Sequence, residues 1–165
     1  MELLKEFLFE KEIEQLERAL PLIAVLIGHC DGTYDEKEQV AAKKIADVHA
    51  YSAPELLKPF YKTVANQFEN NLGYLTDMVS GAKMMDVELS EELKKVGKAL
   101  KKLPQKYGYH LYKDFLHYAS EIAKSSGGFL RFGSINFDES KWIGLPMIKA
   151  IEKPDELLED LFEEE

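Results

Sequence analysis

The N-terminal part of the chain carries apolar residues at the three- and four-residue spacing of a helical face. The first apolar stripe comprises Phe9, Ile13, Leu16 and Leu20. Pro21 follows directly, and because proline lacks a backbone donor it predicts a kink or a fresh helix start. The apolar run then continues to Gly28 and stops at the turn signal Asp31-Gly32. The pattern predicts helical structure up to Gly28, interrupted or restarted at Pro21.

The middle of the chain predicts four further helices. The first covers about 36–49, and its inward residues are expected to be Val40, Ile45 and Val48. A serine, a proline and a glutamate within 52–55 open the second, which should run to about residue 70. A third is expected over about 72–85. Ser90 with two following glutamates opens the fourth, which ends before Pro104.

The C-terminal part predicts a long helix, a shorter helix and a tail. The long helix covers about 107–124, and its inward face comprises Leu111, Phe115, Tyr118 and Ile122. The shorter one begins near Phe137, bends at Pro146 and ends before Pro154. The acidic stretch 155–165 should form a short amphipathic tail helix with Leu157, Leu158, Leu161 and Phe162 on one side. We therefore expect an all-α, compact single-domain bundle of about seven helices over 1–154, followed by the tail.

Composition narrows the class of protein. The 165 residues, 45% of them hydrophobic, are enough to bury the core of one domain. The net charge of −9 disfavours nucleic acid as a partner, because phosphates would be repelled, and it leaves cation binding open. A single cysteine, Cys30, excludes an internal disulfide and indicates a reducing compartment. Without a membrane-spanning apolar run or a secretory signal pattern, a cytoplasmic protein is expected.

Two stretches of the chain, 22–38 and 118–139, are similar to each other. Each is an apolar helical run that ends in a small residue and a glycine. Each then resumes with an apolar residue four positions before a glutamate, which is Glu38 in the first copy and Glu139 in the second. The pattern predicts an internal helix-turn-helix pseudo-repeat whose two turns open at the same end of the domain.

Carboxylates around the two turns form a candidate cation site. Hard cations such as Ca²⁺ and Mg²⁺ take several oxygen ligands, and carboxylates beside tight turns can converge on one ion. The predicted ligands are Asp31, Glu38 and Glu139, with Asp35 in support. In the competing interpretation, 35–38 and 136–139 are capping boxes in which each glutamate bonds its own helix backbone. Caps are commoner than metal sites, and both roles stay open on the sequence. If a cation binds, Ca²⁺ or Mg²⁺ is expected before Zn²⁺.

The first copy resembles the TerB-like family, named for tellurite-resistance proteins. In that family an apolar helix ends in Ala-Asp-Gly, and an apolar residue and a glutamate follow. The matching residues are Asp31, Gly32, Tyr34 and Glu38. The second copy departs from the pattern, because Ser126 or Gly127 replaces the aspartate and the loop before Glu139 is longer. The resemblance implies a compact all-α fold and a role in tellurite or metal stress.

The long C-terminal helix also carries a polar stripe. It comprises His110, Asp114, His117 and Glu121. Aspartate and histidine three positions apart resemble half of a metal site in a helical bundle, but such a site needs a matching Glu-x-x-His on another helix. The chain contains no such tetrapeptide. A polar flank beside the apolar face is therefore the favoured interpretation.

These observations lead to two main hypotheses about function. The first is a non-catalytic, TerB-like protein that binds a divalent cation between its two acidic turns. The alternative is a helical protein–protein interaction module without a metal, whose carboxylates only cap helices. A lysine stripe over 94–102 and the acidic tail are the surfaces that would meet a protein partner. An enzyme is the weakest hypothesis, because no nucleophile–base–acid set and no cofactor motif can be identified.

Overall fold

The structure, a computed structural model, describes residues 1–29, 36–79, 85–127 and 141–155. Within these ranges the chain forms seven helices and one further helical turn at 141–143. The helices are α1 (Glu2–Phe7), α2 (Glu10–Glu17), α3 (Ala19–Gly28), α4 (Glu36–Ser52), α5 (Lys58–Val79), α6 (Met85–Leu100) and α7 (Gln105–Gly127). The predicted all-α bundle is confirmed, because every regular element in these ranges is helical and the helices share one buried core.

Helix α3 lies at the centre of the bundle. All ten of its residues, from Ala19 to Gly28, are buried. It packs against α4, α5, α6 and α7, which surround it. A helix that is apolar on every side has no face for solvent, so it is stable only when other helices cover it completely. The apolar run after Pro21 therefore determined which helix became the core.

The predicted inward face of α7 is confirmed. Leu111, Phe115, Tyr118 and Ile122 are all buried in the common core. Tyr118 also carries a hydroxyl, and this group donates a hydrogen bond of 3.1 Å to the main-chain oxygen of Ala42 in α4. Since a buried hydroxyl needs a partner, this bond sets where α4 and α7 meet.

The N-terminal stripe differs from the prediction at its first residue. Phe9 is exposed, whereas Ile13, Leu16 and Leu20 are buried. The reason is a break between α1 and α2, where Phe9 has an extended backbone and its N–H donates to the Glu12 carboxylate at 3.1 Å. Its side chain therefore leaves the helical face. The predicted fresh start at Pro21 is confirmed, because this proline lies in the first turn of α3.

Helix α4 is rotated relative to the predicted orientation. Val40 and Val48, predicted to point inward, retain 63% and 55% of their exposure, and Ile45 is only partly buried. The buried residues of α4 are Ala42, Ala46 and His49. Alanine allows a neighbouring helix to approach closely, and the large Tyr118 side chain occupies that space. Packing of small against large residues thus outweighed the apolar character of the two valines.

Helix α5 runs without a break from Lys58 to Val79, so the predicted division near residues 70–72 is wrong. Its buried residues keep helical spacing through that region, and they include Phe68, Leu72, Leu75 and Val79. No proline interrupts them. The predicted start at Ser52 is also wrong. This residue ends α4, and its hydroxyl donates to the main-chain oxygen of Val48 at 2.8 Å.

Helix α6 begins at Met85, earlier than the start predicted at Ser90. Ser90 lies inside the helix, and its hydroxyl is buried without a hydrogen-bond partner in the described residues. The end of α6 at Leu100 agrees with the prediction that the helix stops before Pro104. The buried residues Leu89, Leu93 and Val96 extend the apolar stripe across the predicted boundary.

The segment after residue 143 is not helical, which corrects the prediction of a helix reaching Pro154. Turns and irregular backbone cover 144–155, and Leu145 has a positive φ of 44°. Pro146 accounts for the stop, because a proline disfavours the helical conformation of the residue before it. The segment nevertheless packs on the bundle, since Ile148 is buried and contacts the position of Gly97 in α6.

Several predicted features fall outside the described residues. They are the two turns of the pseudo-repeat, the ligands Asp31, Asp35 and Glu139, the start of the last helix at Phe137, and tail residues 156–165. Among the helices that are described, none combines the length and the hydropathy that a bilayer crossing requires.

Candidate metal site

The polar stripe of α7 divides into two pairs with different surroundings. In the first pair, Asp114 accepts a hydrogen bond of 3.0 Å from the hydroxyl of Tyr61 in α5. Burial, together with the charge of Asp114, raises the pKa of Tyr61 well above its usual value, so the phenol stays protonated and donates. His110 packs edge-on against Tyr109. In this half of the stripe, Asp114 therefore links α7 to α5.

The second pair meets a histidine from another helix. His49 of α4 is buried, with 7% of its side chain exposed, and its Nε2 lies 2.6 Å from Oε2 of Glu121. His117 lies one turn before Glu121, and its Nδ1 is 3.8 Å from the same oxygen. The two imidazole rings are 5.2 Å apart between centroids. Two histidines and one carboxylate thus converge at the α4–α7 contact.

Local sequence explains why these three side chains meet. His49 follows Ala42 and Ala46 by seven and three positions, so it continues the small-residue face that α4 turns toward α7. On α7, His117 and Glu121 are four positions apart and share one side of the helix. The edge of the Tyr118 ring, 5.6 Å from the imidazole of His49 between centroids, packs against that ring. The packing of α4 on α7 therefore brings the three side chains together.

The three side chains could hold a metal ion after a small rearrangement, in which His117 moves closer and the 2.6 Å contact between His49 and Glu121 lengthens. One ligand atom from each of His49, His117 and Glu121 lies within 4.8 Å of the others. Metal–ligand bonds of about 2.0–2.2 Å place donor atoms roughly 3.4 Å apart in a tetrahedral site. His117 has 66% of its side chain exposed, so its ring is free to rotate toward the other two ligands.

The donor set also indicates which ions would bind. Imidazole nitrogens suit Zn²⁺ and other transition metals, whereas Ca²⁺ and Mg²⁺ prefer oxygen ligands. Two histidines with one carboxylate form a three-ligand set that leaves a coordination position open. Without an ion, the same His49–Glu121 contact is a hydrogen-bonded pair that joins α4 to α7.

Glu38, the one described ligand of the carboxylate site predicted from the sequence, lies apart from this cluster. Glu38 lies in the first turn of α4, partly buried, and precedes His49 by eleven positions on the same helix. Eleven residues correspond to a rise of about 16 Å, too far for both to bind one ion. The other three predicted ligands, Asp31, Asp35 and Glu139, lie outside the described residues. That site stays a prediction.

The sequence contained part of the signal for the cluster. The spacing of His117 and Glu121 places them on one side of α7, but the Glu-x-x-His motif expected on a partner helix does not occur in the chain. His49 belongs to no such motif. A histidine in line with two alanines on an otherwise polar helix is the signal that would have identified it.

Comparisons with protein-family models, with curated proteins and with solved structures found no match for this chain.

Proposed function

We propose that this protein binds a divalent transition-metal ion, with Zn²⁺ as the first choice, through His49, His117 and Glu121. The observation that carries the proposal is the convergence of three ligand atoms within 4.8 Å from two different helices. His49 is buried in the α4–α7 contact and is ordered by it, whereas His117 is exposed and adjusts. Because most of the movement falls to the exposed His117, the three side chains can coordinate an ion without repacking of the core.

Metal binding agrees with the predicted role of a non-catalytic protein in metal stress. The resemblance to the TerB-like family, which implied that role, stays a prediction. In this role the protein would hold an ion at the α4–α7 contact, and binding would stabilise the packing of the two helices. The stabilisation follows from mass action, because the unfolded chain lacks the assembled site.

A thermal-melt series with Zn²⁺, Mn²⁺, Ca²⁺ and Mg²⁺ against a chelator tests the proposal. At a free metal concentration 100-fold above Kd, the melting temperature should rise by roughly 5–10 °C. His117→Ala should abolish most of that rise and leave the metal-free melting temperature nearly unchanged, because this side chain is exposed. Calorimetric titration of the same variant should show an affinity loss of more than about 100-fold, which exceeds the usual effect of a supporting residue.

His110→Ala is the matched control, since it removes another histidine from the same helix but outside the cluster. It should keep the full response to Zn²⁺. Glu121→Gln should lose most of the response, because it retains a hydrogen-bond acceptor for His49 but not the negative charge. Equal responses of the two histidine variants, or an absent Zn²⁺ response in the wild-type protein, would refute the proposal.

The carboxylates predicted from the sequence define a second cation proposal, in which Ca²⁺ or Mg²⁺ binds Asp31, Glu38 and Glu139 with Asp35 in support. Glu38→Gln separates binding from capping, because glutamine still completes a capping box but lacks the charge that a hard cation requires. A Ca²⁺ or Mg²⁺ response that this variant loses and His117→Ala retains would support two distinct sites. A response unchanged in Glu38→Gln would contradict this second proposal.

A helical interaction module without a metal is the other candidate function. One observation favours it: Val40, Val48 and Tyr51 of α4 are exposed apolar residues. The melt series distinguishes the two candidates. If no cation shifts the melting temperature at millimolar concentration, the interaction module becomes the leading hypothesis.

A further inference from the structure

A cavity of about 720 Å³ opens between the N-terminal segment and α5. Its lining includes Leu8 and Ile13, which are buried and apolar, and the amides of Gln67 and Asn71. No residue of α4 or α7 contributes to it, so it is independent of the metal site. A volume of this size lies within the range of small-ligand pockets.

Glu17 is the feature of this cavity that requires an explanation. The residue lines the cavity and is buried, with 7% of its surface exposed. Its carboxylate forms no hydrogen bond and no ion pair within the described ranges. Burial, with the nearby charge of Glu14, raises its pKa above the usual value of 4.5. A carboxylate that is largely removed from water and has no ion-pair partner costs free energy, and a cation bound beside it would offset that cost.

No charged group that lines the cavity forms an ion pair with Glu17, although the positive charge of Arg18 partly offsets the rise in the pKa of Glu17. Arg18, which follows it in sequence, lies 4.0 Å from the Glu14 carboxylate and stacks over the ring of Tyr74. Glu10 adds a further negative charge to the lining, and Lys5 is exposed. The cavity therefore combines an apolar wall, two amides and a largely buried carboxylate that can accept a positive charge.

We propose that this cavity binds a small organic cation, a primary amine on an aliphatic chain, with its ammonium group against Glu17. The aliphatic part would contact Leu8 and Ile13, which removes apolar surface from water. The ammonium would donate to the Glu17 carboxylate and to the side-chain oxygens of Gln67 and Asn71. The same chemistry occurs in a free diamine and in the side chain of lysine.

Calorimetric titration and thermal melts of the full chain with 1,5-diaminopentane test this proposal. The melting temperature should rise by roughly 5–10 °C at 100-fold above Kd. The neutral analogue 1,5-pentanediol should have no effect. Nα-acetyl-lysine amide, which keeps its ε-ammonium group, distinguishes a free amine from a lysine side chain as the natural ligand. Tighter binding of the diamine supports a free amine, and tighter binding of Nα-acetyl-lysine amide supports a lysine side chain.

Glu17→Gln should lose the response to the diamine by at least about tenfold in affinity, the usual effect of a buried charge pair. Without ligand, the same variant should melt higher than the wild-type protein, because a neutral amide is cheaper to bury. Glu10→Gln is the matched control, since it removes the same charge from the same cavity and should keep the response. Glu17→Met, similar in volume, replaces Glu17→Gln if the latter does not fold.

An unchanged diamine response in Glu17→Gln, or equal losses in Glu17→Gln and Glu10→Gln, would overturn the proposal, because attraction to the net negative charge would then explain it. A wild-type protein that responds equally to the diamine and to the diol would also overturn it.

Discussion

Two glycines in long helices should respond in opposite directions to the same substitution. Gly108 lies in α7, where an added Cβ would be 2.6 Å from the carbonyl oxygen of Leu100 at the end of α6. Gly73 lies in α5, and an added Cβ there would meet no atom within 4 Å. Both positions are helical, so alanine has the same intrinsic advantage over glycine at each.

The magnitudes follow from these distances. Alanine at an open helical position stabilises by about 0.5–1 kcal/mol, so Gly73→Ala should raise the melting temperature by about 1–4 °C. At Gly108 the neighbouring atom is main chain and cannot rotate away, so α6 and α7 must move apart. Overpacking of this kind costs about 1–3 kcal/mol, which exceeds the helical gain in most of that range. Gly108→Ala should therefore lower the melting temperature.

Thermal melts and urea unfolding of both variants measure the difference directly. The free energy of unfolding of Gly108→Ala should be about 1–3 kcal/mol below that of Gly73→Ala, because the helical gain is common to both variants and only the steric cost separates them. Because α7 also carries His117 and Glu121, a displaced α7 should weaken Zn²⁺ binding as well. Equal stabilities of the two variants would refute the close approach of Gly108 to Leu100.

Two further predictions concern α4 and the buried carboxylate. Val48→Glu should change the free energy of unfolding by less than about 0.5 kcal/mol because it lies on the exposed side, whereas Ala46→Glu buries a charge and should cost more than about 3 kcal/mol in urea unfolding. Equal losses would contradict the observed orientation of α4. For Glu17, the folded pKa lies above the unfolded value, so its contribution favours folding at low pH and is lost as pH rises from about 4.5 through the folded pKa. Thermal melts over that window should show this decline in the wild-type protein and its absence in Glu17→Gln; parallel curves would contradict the assignment.

The elements with the densest apolar sequence were predictable from the sequence. The run after Pro21 became the central helix, and the stripe from Leu111 to Ile122 became the buried face of α7. The run of α3 is apolar on every side and needs complete cover, whereas the large apolar residues of α7 share one face, so only one orientation of α7 removes them from water. Breaks marked by proline were predictable for the same local reason, because Pro104 and Pro21 act on the backbone next to them.

The orientation of α4 and the candidate metal site were decided by the tertiary structure. Periodicity favoured Val40 and Val48, but the close packing of α7 selected the narrow face of Ala42 and Ala46. That choice placed His49 beside Glu121, a residue 72 positions away in the chain. A sequence pattern records the residues of one helix, whereas a site between two helices depends on how their surfaces fit. The shapes of Tyr118 and the two alanines determined that fit, and neither helix encodes it alone.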